Sequence, residues 1–322
     1  MNTGENGDVM RAIAISEFGA TPVRMNLPVP EPGPGEALVK IVAAGLNPVD
    51  WKIADGMLKD TVPHSFPLVL GLDGAGVVAS VGEDARFRVG EQVFGRFFGV
   101  PRGLGTYAEY TIAAADDVVA RMPEGMLYSL AAAVPTAGMT ALAVVEEGRI
   151  EGGQSVLVIG ATGGVGQPVV RLASRRGAMV IATARPDMAQ RMRTLGAAET
   201  VDHTRGDTAA LVREIRPDGV DAILDMVGDR PAAERLAGLL RPGGVYVSTV
   251  WGVDPDALEA RGLRGVNISY PPTPELLERV VELLGTGEML IDVDEEVSLE
   301  DAPAALARSR AGRARGKTVI RP

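Results

Sequence analysis

The sequence predicts an α/β protein of two domains, in which a doubly wound parallel sheet follows a strand-rich first half. Its 322 residues exceed what one small hydrophobic core requires. The pattern changes near residue 130, from short β-like runs to near-continuous apolar strands that alternate with helices, as in a parallel sheet covered on both faces. A hydrophobic content of 46% with 23% charged residues is typical of a folded globular protein.

The first half is predicted to be an irregular β-rich domain. Strand-like runs are separated by Gly and Pro clusters such as 28–35, and they occupy 10–15, 37–43, 76–81 and 106–113. The residues before them are polar and include Glu5 and Asp8, so they lack the cationic and apolar regions of a signal peptide. We therefore expect residues 1–9 to be a disordered extension.

In the second half, predicted strands and helices alternate in the order that a doubly wound sheet requires. The strands are 155–159, 179–183, 220–225 and 245–249, and the helices are 165–175, 187–195 and 231–240. A helix at 274–284 and a strand-rich tail ending at Ile320 follow. The apolar stretch 130–145, within the longest uncharged run, is too short for a bilayer and contains Pro135 and Gly138, so it predicts a buried helix or helix pair.

Charge and cysteine content exclude several classes of protein. A formal charge of −10 disfavours binding to nucleic acid or to anionic membranes. The one dense basic cluster is predicted to be a solvated helix end, with a binding arm as the alternative: Arg308, Arg310, Arg313, Arg315 and Lys317. The chain has no cysteine, which excludes disulfides, thiolate zinc sites and a cysteine nucleophile. We expect a cytoplasmic protein that acts on a small molecule.

A glycine-rich loop between a predicted strand and a predicted helix is the strongest motif. Such loops let backbone N–H groups approach a pyrophosphate at the positive end of the helix, and the predicted cofactor contacts are Gly160, Ala161, Thr162, Gly163, Gly164, Val165 and Gly166. Ala161 replaces a glycine of the usual fingerprint, so a glycine turn that binds nothing is the alternative.

The end of the next predicted strand indicates which dinucleotide is bound. A site for NADH normally places a carboxylate there to hold the ribose 2′-OH, whereas this chain has Thr183 and Arg185. A guanidinium suits a 2′-phosphate, and the Thr183 hydroxyl can add a donor. We therefore predict NADPH as the cofactor. Asp187 keeps NADH as the alternative, although its place in the next helix also suits a partner of the helix dipole.

Four segments together resemble the medium-chain dehydrogenases/reductases, in their zinc-free quinone and enone reductase branch. They are 44–52, 71–78, the glycine loop and 240–244, and the likeness spans about 10–322. The resemblance implies a Rossmann doubly wound parallel sheet domain, 134–285, inserted in a GroES-like β-rich catalytic domain, 10–133 and 286–322. We also expect a homodimer.

The same segments depart from the zinc alcohol dehydrogenases. Those relatives carry a cysteine in the first segment and a His-Glu pair in the second, where this chain has Asn47-Pro48 and Leu72-Asp73. We therefore predict no metal. Of the two histidines, His64 is expected in a loop, and His203 is either a contact at the cofactor edge or an ordinary surface residue.

The resemblance implies hydride transfer to a quinone or an α,β-unsaturated carbonyl. Without a metal, the developing negative oxygen needs hydrogen-bond donors, and Asn47 and Lys52 are the candidates. In the alternative, Asn47 and Asp50 hold a loop and Lys52 forms an ion pair with Asp50. Possible apolar walls of the substrate pocket, which could equally be plain core, are Trp51, Phe97, Phe98 and Tyr107.

Further cofactor contacts are predicted from the family resemblance and from the general position of ligands in open α/β sheets. Thr136 lies in a segment like the one that flanks the nicotinamide ribose in the family. Ligands of open α/β sheets lie at the carboxyl ends of the strands, which predicts contacts from Val227, Gly228, Thr249 and Val250. Lys317 either approaches the cofactor or has a structural role.

Two other functions remain open at the level of sequence. An enoyl-thioester reductase would share the cofactor site and differ at the mouth of the pocket. A non-enzymatic NADPH-binding sensor or scaffold would keep the fold without turnover.

Overall fold

The computed structural model describes residues 8–269 and 271–322, which form two compact units. Unit 1 contains the chain up to Thr136 together with Thr273–Leu277 and Asp292–Pro322, and unit 2 contains Ala137–Pro272 and Glu278–Ile291. Residues 1–7 of the predicted extension lie outside the described residues. Val9 already begins the first strand, one residue before the start predicted at residue 10.

Unit 1 is built mainly from antiparallel strands around one main apolar core. Its strands are β1 (Val9–Ile15), β2 (Val23–Pro28), β3 (Ala37–Gly45), β4 (Leu68–Val69), β5 (Asp73–Val81), β6 (Gln92–Arg96), β7 (Tyr110–Ala113), β8 (Val118–Arg121), β15 (Val293–Ser298) and β16 (Lys317–Arg321). They form a sheet of order β2-β1-β4 and a larger one of order β15-β16-β3-β5-β6-β8, with β7 paired to β3. Among the described strands of this unit, only β15 and β16 pair in parallel. The helices are α1 (Pro48–Ala54), α2 (Tyr128–Ala133) and α10 (Ala302–Arg310).

Pairing in the larger sheet brings three of the segments noted above side by side. Gly45 at the end of β3 pairs with Asp73 at the start of β5 and with Val319 of β16. A Cβ at Gly45 would lie 2.1 Å from the carbonyl oxygen of Ala132, so only glycine allows α2 to pack this close. The start of α1, the start of β5 and the tail strand therefore meet at one end of this sheet.

Unit 2 is a six-stranded parallel sheet of order β11-β10-β9-β12-β13-β14. The strands are β9 (Ser155–Ile159), β10 (Met179–Thr183), β11 (Glu199–Val201), β12 (Val220–Asp225), β13 (Leu240–Ser248) and β14 (Arg264–Asn267). The helices are α4 (Gly166–Arg175), α5 (Pro186–Leu195), α6 (Thr208–Ile215), α7 (Arg230–Leu236) and α8 (Pro255–Glu259). Strand order reverses at β9, the switch point where such sheets bind ligands. The predicted fold class is confirmed.

Two helices cross the division between the units along the chain. They are α3 (Pro135–Glu147) and α9 (Pro274–Gly285). The uncharged run at 130–145 therefore forms parts of α2 and α3, and Pro135 is the first residue of α3. Proline is favoured at this position because the backbone N–H that it lacks would have no partner within the helix. In the described part of the chain, no helix combines the length and apolarity needed to span a bilayer.

Several predicted boundaries differ from the structure, since β5 begins at Asp73 and not at residue 76, and β13 is Leu240–Ser248 and not 245–249. Two further differences have identifiable reasons. β7 begins at Tyr110 and not at residue 106, because Thr106 and Tyr107 donate their backbone N–H groups to Gly71 and Leu70 instead of pairing with β3. The helix predicted at 231–240 ends at Leu236. A 3-10 turn follows, and Leu240 already belongs to β13.

Candidate active site and cofactor site

The glycine loop of unit 2 has the geometry of a phosphate cradle. Gly160 follows β9 with a left-handed φ of 74°. A Cβ at Gly166 would lie 2.2 Å from the carbonyl oxygen of Gly160, so glycine is needed where α4 begins. The first turn of a helix leaves backbone N–H groups without intrahelical partners, and these suit an anion. Residues 162–165 between them are half-buried and remain accessible to a ligand.

Thr183 holds the start of the glycine loop through a hydrogen bond. Its buried hydroxyl accepts a hydrogen bond from the Gly160 backbone N–H (3.1 Å) and donates to the Val158 carbonyl (3.1 Å). The only hydroxyl proton is therefore engaged within the sheet. This corrects the prediction that Thr183 donates to a 2′-phosphate, because its observed part is to hold the loop.

Arg185 is exposed and stands at the end of the next strand. It is the N-cap of α5, and its guanidinium has no ion pair or hydrogen bond within residues 8–269 and 271–322. Asp187 lies in the first turn of α5, where a carboxylate is favourable to the helix dipole. His203 is exposed in the turn after β11. The described geometry thus leaves Arg185 available to an anion.

The ends of β12 and β13 form the other side of this edge. Asp225, the last residue of β12, is buried, and its carboxylate accepts hydrogen bonds from the backbone N–H groups of Val227 (2.9 Å) and Gly228 (2.8 Å). Thr249 and Val250 follow β13 and are half-buried, and the Thr249 N–H donates to the Asp225 carbonyl. All four predicted contacts therefore lie at the carboxyl edge of the sheet.

In unit 1, the side chain of Asn47 is buried at the centre of a polar network. Its amide nitrogen donates to a carboxylate oxygen of Asp73 (2.9 Å) and to the Gly45 carbonyl (3.4 Å), and its amide oxygen accepts from Lys317. Both amide hydrogens are directed at protein acceptors. This arrangement favours a role in holding the start of α1 over direct donation to a substrate.

Asp73 connects this network to Thr136. The two Asp73 carboxylate oxygens accept from the Thr136 backbone N–H (2.9 Å) and hydroxyl (2.7 Å). Thr136 is half-buried. The hydroxyl proton of Thr136 is bonded to Asp73. Towards a ligand, this hydroxyl can therefore act only as a hydrogen-bond acceptor.

Lys317 supplies the only cation in the network among the described residues. Its ammonium is buried, with 3% of the residue exposed, and donates to the Leu46 carbonyl (2.9 Å) and to the Asn47 amide oxygen (2.6 Å). Burial lowers the pKa of Lys317, and the nearby charges of Asp73 and Asp50 oppose that change. An ammonium enclosed in this way has the structural role, and the predicted cofactor contact is not supported.

Asp50 completes the buried set. One of its carboxylate oxygens accepts from the Asn47 backbone N–H and from the Tyr107 hydroxyl, both at 2.7 Å, while the other has no partner. Burial raises the pKa of Asp50 to about 7, although both hydrogen bonds act in the opposite direction. One ammonium cannot neutralise two buried carboxylates, and Asp50 is the better place for a proton because one of its oxygens is unbonded.

Lys52 lies on the outer side of α1 and is half-buried. It forms no ion pair with Asp50 in the described chain, because that carboxyl group is turned towards Asn47 and Tyr107. Its ammonium lies 5.7 Å from the centre of the Trp51 ring. Lys52 and Trp51 line a surface depression of about 410 Å³ together with Asp55, Gly56, Met57 and Lys59. The ion-pair alternative for Lys52 is therefore wrong.

The other sequence candidates divide between core and surface. Phe97 and Tyr107 are fully buried, whereas Phe98 is partly exposed. His64 is exposed and packs against the rings of Phe18 and Phe66. The C-terminal basic cluster does not form one patch, because Arg308 pairs with Glu295, Arg310 pairs with Asp55 and Lys317 is buried.

Sequence reasoning missed the roles of Asp73 and Asp225. Asp73 was noted only as the residue that replaces a zinc-site glutamate. Asp225 is the last residue of an apolar strand. A single acidic residue at that position was the signal that could have identified it as a functional residue. Each aspartate is buried, and each accepts hydrogen bonds from three backbone or side-chain donors at the edge of its sheet.

A catalytic zinc ion does not fit the residues of unit 1. Leu72 and the hydrogen-bonded amide of Asn47 stand where the zinc dehydrogenases have ligands, and the Lys317 ammonium would repel a divalent cation. Within the described residues, no three His, Cys, Asp or Glu side chains are grouped as metal ligands.

The chain matches two family models. Residues 33–124 match the alcohol dehydrogenase GroES-like domain, and residues 195–320 match a zinc-binding dehydrogenase domain. It is 33% identical to 2-methylene-furan-3-one reductase of Solanum lycopersicum, over 97% of this chain and 79% of that one. It is 31% identical to a chloroplastic quinone oxidoreductase of Triphysaria versicolor, over 98% and 99%.

Solved structures agree with these relatives. The quinone oxidoreductase of Coxiella burnetii superposes with a TM-score of 0.86 at 27% identity, covering 98% of this chain and 100% of that one. A mycobacterial protein complexed with NADPH superposes with a TM-score of 0.83 at 26% identity, covering 97% and 100%. This chain therefore belongs to the medium-chain dehydrogenases/reductases, in the branch of the quinone oxidoreductases and enone reductases.

Proposed function

We propose that this protein is an NADPH-dependent oxidoreductase that reduces a quinone or an α,β-unsaturated carbonyl without a metal. The choice of NADPH rests on one observation: the glycine loop and the exposed guanidinium of Arg185 both lie at one edge of unit 2. The substrate class rests on relatives named as quinone, alkenal/one and 2-methylene-furan-3-one reductases. The expected homodimer and cytoplasmic location stay predictions.

The residues divide the work as follows. The loop 160–166 binds the pyrophosphate, and Arg185 binds the 2′-phosphate through charge-assisted hydrogen bonds. When bound, NADPH supplies a hydride to the electron-poor carbon of the acceptor. The Lys52 ammonium then donates to the oxygen on which negative charge develops, which lowers the barrier. Asn47 holds the start of α1, the helix that carries Lys52.

Cofactor choice depends on Arg185 in this proposal. Arg185→Ala should weaken NADPH binding by about 1.5 to 3 kcal/mol, the usual contribution of a charge-assisted contact, because the 2′-phosphate loses its partner. NADH has no 2′-phosphate, so its affinity should change little. Calorimetric titration of both cofactors measures the difference. An equal loss for both would contradict the assignment.

Metal independence is the second part of the proposal that can be tested directly. The purified protein should contain substoichiometric zinc by elemental analysis, and prolonged treatment with a chelator should leave turnover unchanged. These results are expected because the Lys317 ammonium stands beside Asn47 and Asp73. One zinc ion per chain, with activity that the chelator abolishes, would overturn this part.

A substrate panel tests the reaction itself. NADPH oxidation is followed by absorbance with quinones, enones, aldehydes and enoyl thioesters at matched concentrations. The proposal expects turnover with quinones or enones above all others. A preference for enoyl thioesters would identify the protein as an enoyl-thioester reductase, and tight NADPH binding with no turnover would identify a sensor or scaffold.

A further inference from the structure

We propose that Asp225, together with Tyr246, is a positioning residue that holds the turn at Val227 and Gly228 as a wall of the nicotinamide half of the cofactor site. This inference rests on the proposed function, because it assumes that unit 2 binds NADPH. Neither residue was a sequence candidate, and both are buried inside the sheet.

The Asp225 carboxylate is held by three neutral donors. One oxygen accepts from the backbone N–H groups of Val227 and Gly228, and the other accepts from the Tyr246 hydroxyl at 2.6 Å. No cationic side chain of the described residues bonds to it. A buried charge without a countercharge is unfavourable for stability. The presence of this carboxylate at the end of a core strand is explained if the conformation of the turn is needed for binding.

The turn fits the carboxylate so closely that only glycine is allowed at its end. A Cβ at Gly228 would lie 2.2 Å from an Asp225 carboxylate oxygen. A Cβ at Gly252, in the loop after β13, would lie 2.5 Å from the Gly228 carbonyl oxygen. The backbones of the two loops at this edge are therefore in contact, and both bond to Asp225, the first through its carboxylate and the second through its carbonyl.

The turn presents an apolar side chain to the glycine loop. Val227 is 65% exposed, and its methyl group would lie 3.0 Å from a Cβ at Gly160. An exposed apolar side chain beside a phosphate cradle is suited to a flat ring and not to a phosphate. The carboxylate of Asp225 keeps Val227 in this position through the backbone N–H bond.

Strand order identifies the half of the cofactor that this wall would contact. A dinucleotide spans the switch point of a doubly wound sheet, with one nucleotide on either side. Arg185 follows β10 on one side of β9, and Asp225 ends β12 on the other. If Arg185 binds the 2′-phosphate of the adenosine half, the Val227 wall belongs to the nicotinamide half.

The test compares NADPH with 2′,5′-ADP, which carries the adenosine and the 2′-phosphate but lacks nicotinamide. Asp225→Ala should weaken NADPH binding at least about tenfold, because three donors lose their acceptor and the turn relaxes. Affinity for 2′,5′-ADP should stay within about threefold of the parent value. Gly228→Ala, which alters the turn at the sheet edge and leaves the strand intact, should give the same pattern. Asp225→Asn keeps an acceptor for both backbone N–H groups and should restore most of the NADPH affinity.

Asp221→Ala is the matched control, because Asp221 lies at the other end of the same strand and bonds to Ser155 and Arg241. It should lower thermal stability and leave the affinity ratio of the two ligands unchanged. Folded Asp225→Ala or Gly228→Ala protein with an unchanged ratio, or with an equal loss for both ligands, would overturn the inference. Failure of the parent protein to bind either ligand would instead reject the proposed function.

Discussion

Replacement of Lys52 by Met should lower kcat by about tenfold to a thousandfold, which is the usual effect of removing one donor to a developing oxyanion. The ammonium acts more strongly on the transition state than on the bound substrate, so kcat should fall more than KM rises. Met keeps most of the apolar stem of Lys52 and deletes the charge that lies 5.7 Å from the centre of the Trp51 ring. Affinity for NADPH should be nearly unchanged.

The appropriate control is Lys59→Met, because Lys59 lines the same surface depression and is exposed. Lys59→Met should leave kcat unchanged if catalysis depends on the position of the Lys52 ammonium and not on the general positive potential of the depression. Steady-state kinetics with one quinone and one enone should be measured beside melting temperature on the same preparations. A Lys52→Met protein that turns over normally would remove Lys52 from the mechanism, and a similar loss in both variants would indicate a general electrostatic effect.

The fold of unit 2 could be predicted from the sequence because its signals are local. The strands β9, β10 and β12 are short continuous apolar runs, and each helix lies between two such runs. Predicted and observed bounds of these three strands coincide. The C-terminal end of the helix predicted at 231–240 is wrong, because the 3-10 turn and the first residue of β13 that follow Leu236 continue the apolar pattern of the helix.

The polar network of unit 1 could be predicted only in part, because its members are distant in sequence. Lys317 reaches Asn47 across 270 residues, and only the pairing of β16 with β3 brings them together. Sequence reasoning selected Asn47, Thr136 and Lys317 one at a time as candidate ligand contacts. It could not show that Asp73 lies between Asn47 and Thr136 and engages their donors. Spare hydrogen-bonding capacity depends on such tertiary contacts.

Replacement of Lys317 by Met should therefore destabilise unit 1 by about 3 to 5 kcal/mol, the usual cost of removing one partner from a buried charged pair. The carbonyl of Leu46 and the amide oxygen of Asn47 lose their donor, and Asp73 loses the only nearby cation among the described residues. Lys40→Met is the control, since Lys40 lies exposed on β3 and should have little effect.

The loss should also depend on pH in a defined direction. Burial raises the pKa of Asp50 and Asp73 in the folded protein, so these groups favour folding at acid pH, and the benefit is lost as the pH rises through their folded values. Removing the ammonium raises those values further. The difference in free energy of unfolding between Lys317→Met and the parent should therefore be larger at pH 8 than at pH 5.

Denaturant unfolding of both proteins at the two pH values measures this difference. The double variant Lys317→Met/Asp73→Asn should recover part of the lost stability, because the stranded carboxylate is replaced by a neutral amide of similar shape. Equal stability of parent and Lys317→Met at both pH values would show that the ammonium does not stabilise the network. A loss that is independent of pH and is not relieved by Asp73→Asn would assign the effect to the two lost hydrogen bonds alone.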